Sequence, residues 1–233
     1  MTDFTSHLTG PSPRPHPLGY AVSKRISEST IRRLSFYLRS LERMRLRGAT
    51  TVSSEELAKD GGTTGAQVRK DLSQFGSFGK RGTGYDIAVL SSRLRGILGL
   101  DRCWKVLIVG AGRIGAALFE YPNFRIRGYD CVAIVDDDPA KIGQRWGQIP
   151  IQSADRLECI IESESIDLVI LAVPGEVAQA VANRAVAAGA RGLMSFAPTQ
   201  LKLPAARVPV SEVDLVMELE ALSFAITRVE QPA

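Results

Sequence analysis

One stretch decides the fold: KVLIVGAGRIGAALF at Lys105–Phe119, followed after a turn by CVAIVDDD at Cys131–Asp138. It opens with the apolar run 106–109, which is typical of a buried parallel strand, and the pattern then becomes helical. Between strand and helix, the glycines at 110, 112 and 115 have the spacing G-x-G-x-x-G. A strand, this loop and a helix together predict a dinucleotide-binding unit in an α/β sheet.

Each glycine has a mechanical role in such a unit. Gly110 permits the tight turn out of the strand, Gly112 lets a pyrophosphate approach the backbone, and Gly115 lets the helix pack close to the strand. The helix N terminus then offers its N–H groups to the phosphates. A glycine-rich turn that binds no ligand is the alternative. The predicted phosphate loop is Gly110, Ala111, Gly112, Arg113, Ile114 and Gly115.

A second apolar run, 132–135, ends at Asp136, which lies 21 residues after Gly115. A carboxylate at this position can accept a hydrogen bond from a ribose 2′-hydroxyl, and it would repel a 2′-phosphate. The sequence therefore predicts NAD(H) rather than NADP(H) as the ligand. Arg145 is the one nearby cation that argues against this preference.

The chain has 233 residues, a length that suits one large or two small domains, and 45% of them are hydrophobic, as is usual in a globular protein. The apolar runs are too short for a membrane span and no apolar signal segment is present, so we expect a cytoplasmic protein without membrane contact. Cys103, Cys131 and Cys159 do not cluster as metal ligands, so we expect no metal. Both histidines, His7 and His16, lie in the leading segment, which leaves none for catalysis in the folded regions.

Charge is distributed unevenly along the chain. Residues 23–95 carry 15 Lys and Arg against 7 Asp and Glu, whereas residues 96–233 carry 13 against 17. A basic front part predicts contact with a polyanion, although a solvated basic face without function would show the same balance. Residues 1–22 are rich in Pro, Ser, Thr and Gly, and this composition predicts a disordered tail.

The basic part contains a helix-turn-helix pattern. A first helix is predicted to begin near residues 27–30 and to stop at Gly48. A short capped helix follows at 52–58, with Ser53 and Glu56 at capping-box spacing, and Thr63 or Thr64 caps another helix at 65–75. An ordinary surface pair of helices is the alternative.

In the helix predicted at 65–75, Val68, Leu72 and Phe75 share one face. Its other side carries polar and basic residues that can contact base edges and phosphates in a major groove. These DNA-binding candidates are Ala66, Gln67, Arg69, Lys70 and Ser73.

Residues 76–87 combine four glycines and two adjacent cations with a return to β-like residues. They predict a hairpin, the wing of a winged helix, with Lys80 and Arg81 at its tip against phosphate or in a minor groove. A linking helix is predicted at 90–100, with a domain boundary near 99–103.

The remaining chain alternates helices at 154–161 and 176–188 with strands at 167–173 and 192–196, which predicts a doubly wound parallel sheet. Ligands bind beyond the carboxyl ends of such strands, so Val173, Pro174 and Phe196 join the predicted cofactor site. A last helix, predicted at 212–228, is too apolar for solvent. It either packs on its own sheet, which the pattern alone favours, or is buried in a second subunit.

Taken together, these motifs resemble the family of bacterial redox-sensing transcriptional repressors called Rex, over about residues 24–227. The stretches that carry the resemblance are LSFYLR at 34–39, SSEEL at 53–57, QVRKDLS at 67–73, FGSFGKRGTGY at 75–85, the glycine loop, Tyr121-Pro122, Phe196-Ala197-Pro198 and LSF at 222–224.

The resemblance does not extend to the tail at 1–22. It implies a homodimer with a winged-helix DNA-binding domain at 23–98, a Rossmann NAD(H)-binding domain at 99–210 and a C-terminal helix at 211–233 that is exchanged between subunits. It implies a non-enzymatic repressor that binds palindromic operator DNA and is released by NADH, with NAD⁺ as a weaker competitor. It also implies a switch contact among Arg39, Tyr121 and Asp214, and it places Tyr121 at the cofactor as well.

Two alternatives from other classes stay open. One is an NAD-dependent dehydrogenase with an accessory basic domain, which would need a general acid or base beside the nicotinamide. The other is a coenzyme-A-binding module, because such domains share this sheet and glycine loop. Asp136 favours a ligand with a ribose diol over coenzyme A.

Overall fold

The computed structural model describes residues 26–78, 84–203 and 208–230. The chain divides into two units on either side of the bond between Asp101 and Arg102. The predicted tail at 1–22 and the predicted wing-tip cations Lys80 and Arg81 lie outside the described residues.

The N-terminal unit is helical with one small sheet. Ser27 caps the first helix, within the predicted start at 27–30. The predicted capping box of Ser53 and Glu56 is confirmed in the second helix, and of the two candidates Thr63 and Thr64 it is Thr64 that caps the third. The elements are α1 Glu28–Leu46, β1 Thr51–Val52, α2 Ser54–Asp60, α3 Gly65–Ser73, β2 Tyr85–Asp86 and α4 Ile87–Ile97.

The four helices enclose an apolar core. The linking helix predicted at 90–100 begins earlier, at Ile87, because the Asp86 carboxylate accepts the Val89 N–H at 2.9 Å and caps it there. The larger buried side chains of this core are Leu34, Tyr37, Leu38, Leu41, Leu57, Leu72, Phe75, Ile87, Leu90 and Leu94.

The small sheet differs from the predicted hairpin. Strand β2 pairs antiparallel with β1, so that Val52 lies opposite Tyr85, and residues 76–78 are not in a strand. Gly84 has a φ of +78°, and a Cβ there would lie 2.5 Å from the Val52 carbonyl oxygen. This close approach to β1 requires glycine at position 84.

The C-terminal unit alternates strands and helices. Its elements are β3 Trp104–Val109, α5 Arg113–Phe119, α6 Pro122–Ile126, β4 Tyr129–Asp136, β5 Arg145–Trp146, β6 Ile149–Ser153, α7 Leu157–Glu164, β7 Leu168–Leu171, α8 Gly175–Ala187, β8 Gly192–Ser195, β9 Val210–Glu212 and α9 Leu215–Glu230, with a short 3₁₀ turn at Ala154–Arg156 before α7.

The strands form a seven-stranded sheet in the order β5-β6-β4-β3-β7-β8-β9, parallel except for β5. Helices α7 and α8 cover one face, and α5 and α6 cover the other. The predicted α/β fold with a doubly wound sheet is confirmed. The chain leaves β3 toward β4 on one side and returns as β7 on the other, so the strand order reverses beside β3, where such sheets bind ligands.

Two features of the C-terminal end were not predicted. Residues 210–212 form β9, which pairs parallel with β8, so the last helix begins at Leu215 and not at Glu212. The large apolar residues of α9 between Leu215 and Ile226 are between 58% and 66% exposed. Packing of this helix on its own sheet, which the pattern alone favoured, is therefore wrong. No helix in the described part of the chain is long and apolar enough to cross a membrane.

Candidate functional site

The glycine loop joins β3 to α5 at the centre of the sheet. Gly110 has a φ of +102°, and a Cβ there would lie 2.3 Å from the Ala172 carbonyl oxygen. A Cβ on Gly115 would lie 2.1 Å from the Gly110 carbonyl oxygen. A Cβ on Gly112 would meet nothing within 4 Å. Two glycines are thus required by packing inside the protein, and the third faces open space.

This open space is part of a cavity of about 890 Å³ at the carboxyl ends of β3, β4 and β7. Asp137, Lys141, Asp155 and Arg184 line it, although none of them was predicted. The predicted residues on its walls are Gly110, Gly112, Arg113, Ile114, Asp136, Val173, Pro174 and Phe196. The topology therefore brings the loop, the acid of β4 and the apolar ends of β7 and β8 around one cavity.

Asp136 is buried at the end of β4 and connects three segments. Its carboxylate accepts the Ala111 N–H at 2.6 Å, the Asp138 N–H at 2.8 Å and the Lys141 ammonium at 3.2 Å. Burial alone would raise the pKa of Asp136, but these donors hold it below its ordinary value. Asp136 is therefore a charged group that ties the glycine loop to the turn after β4.

Two cofactor candidates are placed differently from the rest. Ala111 contributes its N–H to Asp136, and its side chain is buried. Tyr121 lies beyond the far end of α5, where it lines a separate cavity of about 730 Å³ with Phe124, Tyr129 and Cys131. Its hydroxyl accepts a hydrogen bond from Asn123 at 3.0 Å. The structure thus does not bring Tyr121 to the glycine-loop cavity.

In the N-terminal unit, α3 carries the DNA-binding candidates. Ala66, Lys70 and Ser73 are exposed. Arg69 is held by α2, because its guanidinium donates to Ser54 at 2.6 Å and to Glu55 at 2.7 Å.

The remaining candidate, Gln67, is half-buried, and its amide donates to Asp71 at 2.8 Å. Sequence reasoning missed Asp71, which also accepts from Arg33 and from the Tyr37 hydroxyl. Burial alone would raise the pKa of Asp71, but Arg33, Gln67 and Tyr37 hold it below its ordinary value. The available signal was that Asp71 falls on the apolar face of α3, between Val68 and Leu72.

The three switch candidates lie in different elements. Arg39 is exposed on α1. Tyr121 precedes α6, and Asp214 accepts the N–H groups of Val216 at 2.8 Å and Met217 at 3.3 Å at the start of α9. Within the described ranges, no group of three His, Cys, Asp or Glu side chains could hold a metal ion.

Comparison with known proteins agrees with this two-part organisation. Residues 25–73 match a family model described as a putative DNA-binding protein N-terminus, and residues 101–199 match one described as a CoA binding domain. The fold and these matches define a class of protein that joins a helical DNA-binding unit to a Rossmann nucleotide-binding unit.

The chain belongs to the Rex family of redox-sensing transcriptional repressors. It is 45% identical to the Rex repressor of Carboxydothermus hydrogenoformans over 88% of this chain and 98% of that one. It is 44% identical to the Rex repressor of Streptomyces coelicolor over 87% of this chain and 78% of that one.

Solved structures of a Rex-family repressor named RSP are also similar. The complex of RSP with β-NADH is 33% identical, with a TM-score of 0.79 over 89% of this chain and 97% of that one. The complex with β-NAD⁺ and operator DNA is 34% identical, with a TM-score of 0.85 over 89% and 95%.

Proposed function

We propose that this protein is a transcriptional repressor that binds operator DNA and is released from it by NADH. One observation carries the proposal: a Rex-family chain combines an open glycine-loop cavity with a capped helix-turn-helix whose second helix exposes basic and polar residues. The protein is a regulator and not an enzyme. A dehydrogenase was the alternative, and the relatives are named repressors.

The glycine-loop cavity fits a dinucleotide. The backbone of Gly110 to Gly115 would hold the pyrophosphate on the open side of Gly112, and Asp136 would face the adenosine ribose. Val173, Pro174 and Phe196 supply an apolar wall for the nicotinamide. The nicotinamide ring is cationic in NAD⁺ and neutral in NADH. Because a cation loses its hydration when it is bound against an apolar wall, this wall favours binding of NADH.

The exposed side of α3 would enter the major groove of the operator. Lys70 and Ser73 are available to phosphates and bases, and Ala66 leaves room for close approach. Gln67 donates to Asp71 and Arg69 donates to Glu55, and these hydrogen bonds fix both side chains before DNA binds. Lys80 and Arg81 would add contacts from the wing.

The exposed apolar residues of α9 support a homodimer in which this helix is buried by a second copy of the chain. A helix with this many apolar residues in water is expected to find a partner surface. The two N-terminal units of the dimer, related by a two-fold axis, would bind the two half-sites of a palindromic operator. In this arrangement Arg39, Tyr121 and Asp214 would form a contact in the DNA-bound state that NADH breaks.

The free energy that NADH must supply to switch such a dimer is divided between two binding sites. Moving most of a two-state population needs a ligand preference of about 10⁴-fold, near 5.5 kcal/mol. Two NADH sites in one dimer share this requirement.

The test is binding of the full chain to operator DNA, titrated separately with NADH and NAD⁺. We expect NADH to release the DNA at concentrations where NAD⁺ does not. Equal release by both nucleotides, or release by neither, would reject the proposal. Residues 101–199 match a CoA binding domain, so coenzyme A is the third ligand to be titrated. Tighter binding of coenzyme A than of NADH would favour the coenzyme-A-binding alternative.

A further inference from the structure

The acceptor positions of the Asp136 carboxylate are all in use. Oδ2 accepts the Ala111 N–H and the Lys141 ammonium, and Oδ1 accepts the Asp138 N–H and the same ammonium. A carboxylate offers about four lone-pair positions. A ribose hydroxyl that donates to Asp136 must therefore replace a donor that is already there.

The donors differ in how easily they can leave. The Ala111 and Asp138 N–H groups belong to the backbone of the glycine loop and of the turn after β4, at 2.6 Å and 2.8 Å. The Lys141 ammonium ends a flexible side chain that is 35% exposed, and both of its hydrogen bonds to Asp136 are longer, at 3.2 Å. Lys141 is the donor that can move without any change in the fold.

Lys141 also borders the glycine-loop cavity, as do Asp136 and Asp137. Its ammonium lies 3.7 Å from the Asp138 carboxylate as well. When it leaves Asp136, these acidic neighbours keep it at the edge of the cavity, beside the ribose. Arg145, the cation that the sequence analysis named as the argument against a preference for NAD(H), donates to the Gln148 carbonyl and does not line this cavity.

We infer that Lys141 sets the discrimination of this site between NADH and NADPH, as the donor that the ribose displaces from Asp136 and the cation that a 2′-phosphate would meet. The inference rests on the proposed function of the cavity as an NADH site. It departs from the sequence argument, in which Asp136 alone excludes NADP(H). A cation next to the carboxylate offsets its repulsion of a phosphate, so rejection of NADPH is weaker than the acid alone would produce.

Calorimetric titration of the full chain with NADH and with NADPH tests this role. We expect Lys141→Gln to weaken NADPH binding by about tenfold or more, because the phosphate then faces carboxylates without a cation. NADH binding should stay within about threefold or become tighter, because a competitor for Asp136 is gone. Lys141→Met is a second neutral variant, and Lys141→Arg, which keeps the charge, should preserve the wild-type ratio of the two affinities.

Lys105→Gln is the matched control. The Lys105 ammonium donates to the Glu164 carbonyl at the opposite end of β3, so its loss should not change the ratio. A ratio that is the same in wild type and in both neutral variants would overturn the inference, as would a wild type that binds NADH but no NADPH. Failure of the proposed function looks different, because wild type would then not bind NADH at all.

Discussion

Arg33 of α1 holds Asp71 of α3 through two parallel hydrogen bonds, Nε to Oδ2 at 2.6 Å and Nη2 to Oδ1 at 2.8 Å. The Asp71 side chain is 1% exposed and that of Arg33 is 26% exposed. The Tyr37 hydroxyl and the Gln67 amide complete the four donors to this carboxylate. The proposed recognition helix is thus fastened to α1 by a buried charge, and one of its DNA-binding candidates belongs to the same network.

Replacing Asp71 by Asn should destabilise the protein strongly. The substitution removes the buried carboxylate that accepts from Arg33, Tyr37 and Gln67, and it leaves the partly exposed Arg33 without a counter-charge, which costs about 2 kcal/mol or more. Chemical unfolding followed by circular dichroism measures the loss. The control is Asp60→Asn, which removes an ion pair between two exposed side chains and should barely change the unfolding midpoint. Equal effects of the two substitutions would contradict the role given to burial.

Low pH should remove the contribution of Asp71 to the free energy of unfolding. The pKa of Asp71 is held below its ordinary value of 3.8 in the folded protein, so the unfolded chain takes up the proton first. The contribution is complete above about pH 5 and is lost as the pH falls through the folded-state pKa. We expect the difference in unfolding free energy between wild type and Asp71→Asn to shrink toward low pH. A difference that does not change with pH would show that the charge is not responsible.

Two glycine substitutions should separate folding from ligand binding. Gly115→Ala places a methyl group against the Gly110 carbonyl, so we expect a lower melting temperature. Gly112→Ala meets nothing within 4 Å, so the melting temperature should not change, whereas NADH affinity should fall by about tenfold because the pyrophosphate loses its close approach. Thermal melts and NADH titrations of both variants check this. Unchanged NADH binding in Gly112→Ala would place the nucleotide elsewhere.

Lys70→Ala should weaken DNA binding in a salt-dependent way. Lys70 is exposed on the outward side of α3, where it can neutralise a phosphate. Loss of one phosphate contact should reduce the slope of log affinity against log salt by about 1, for operator and unrelated DNA alike. Fluorescence anisotropy at several salt concentrations measures this slope. Lys202→Ala, an exposed lysine of the other unit, should leave the slope as in wild type.

A charge on the apolar side of α9 should separate the proposed dimer. Leu222 is 60% exposed in the single chain, so Leu222→Glu should not disturb the fold of a subunit but should prevent burial of the helix by its partner. Analytical ultracentrifugation is expected to show a dimer for wild type and a monomer for the variant. Glu220→Gln on the same helix is the control. A wild type that sediments as a monomer would refute the dimer.

Local patterns explain which parts of the fold could be predicted. The strand, glycine loop and helix around Gly110 follow from periodicity and spacing, and the cap at Ser53 follows from the glutamate three positions after it. Strand β9 could not be predicted, because three exposed residues have no periodicity and only the edge of β8 makes them a strand. The buried pair of Arg33 and Asp71 joins residues that are 38 apart in the chain.

The position of the glycine-loop cavity could be predicted from the sequence, but the arrangement of charged side chains around it could not. The prediction that Asp136 ends the second strand beside the loop followed from its distance to Gly115. The turn that brings the Lys141 ammonium back onto Asp136 depends on backbone geometry within five residues, which composition does not reveal. The placement of Tyr121 at the cofactor came from the resemblance alone. In the structure α5 separates Tyr121 from the glycine-loop cavity, and Tyr121 lines a different cavity.

In the proposed dimer, the exposed apolar side of α9 would also make the lifetime of this protein depend on its concentration in the cell. A single subunit exposes that side to water, and mass action would make the dimer scarce at low concentration. Degradation would then remove unpaired chains first. Repression is therefore expected to vanish steeply below a threshold of expression instead of declining in proportion to it.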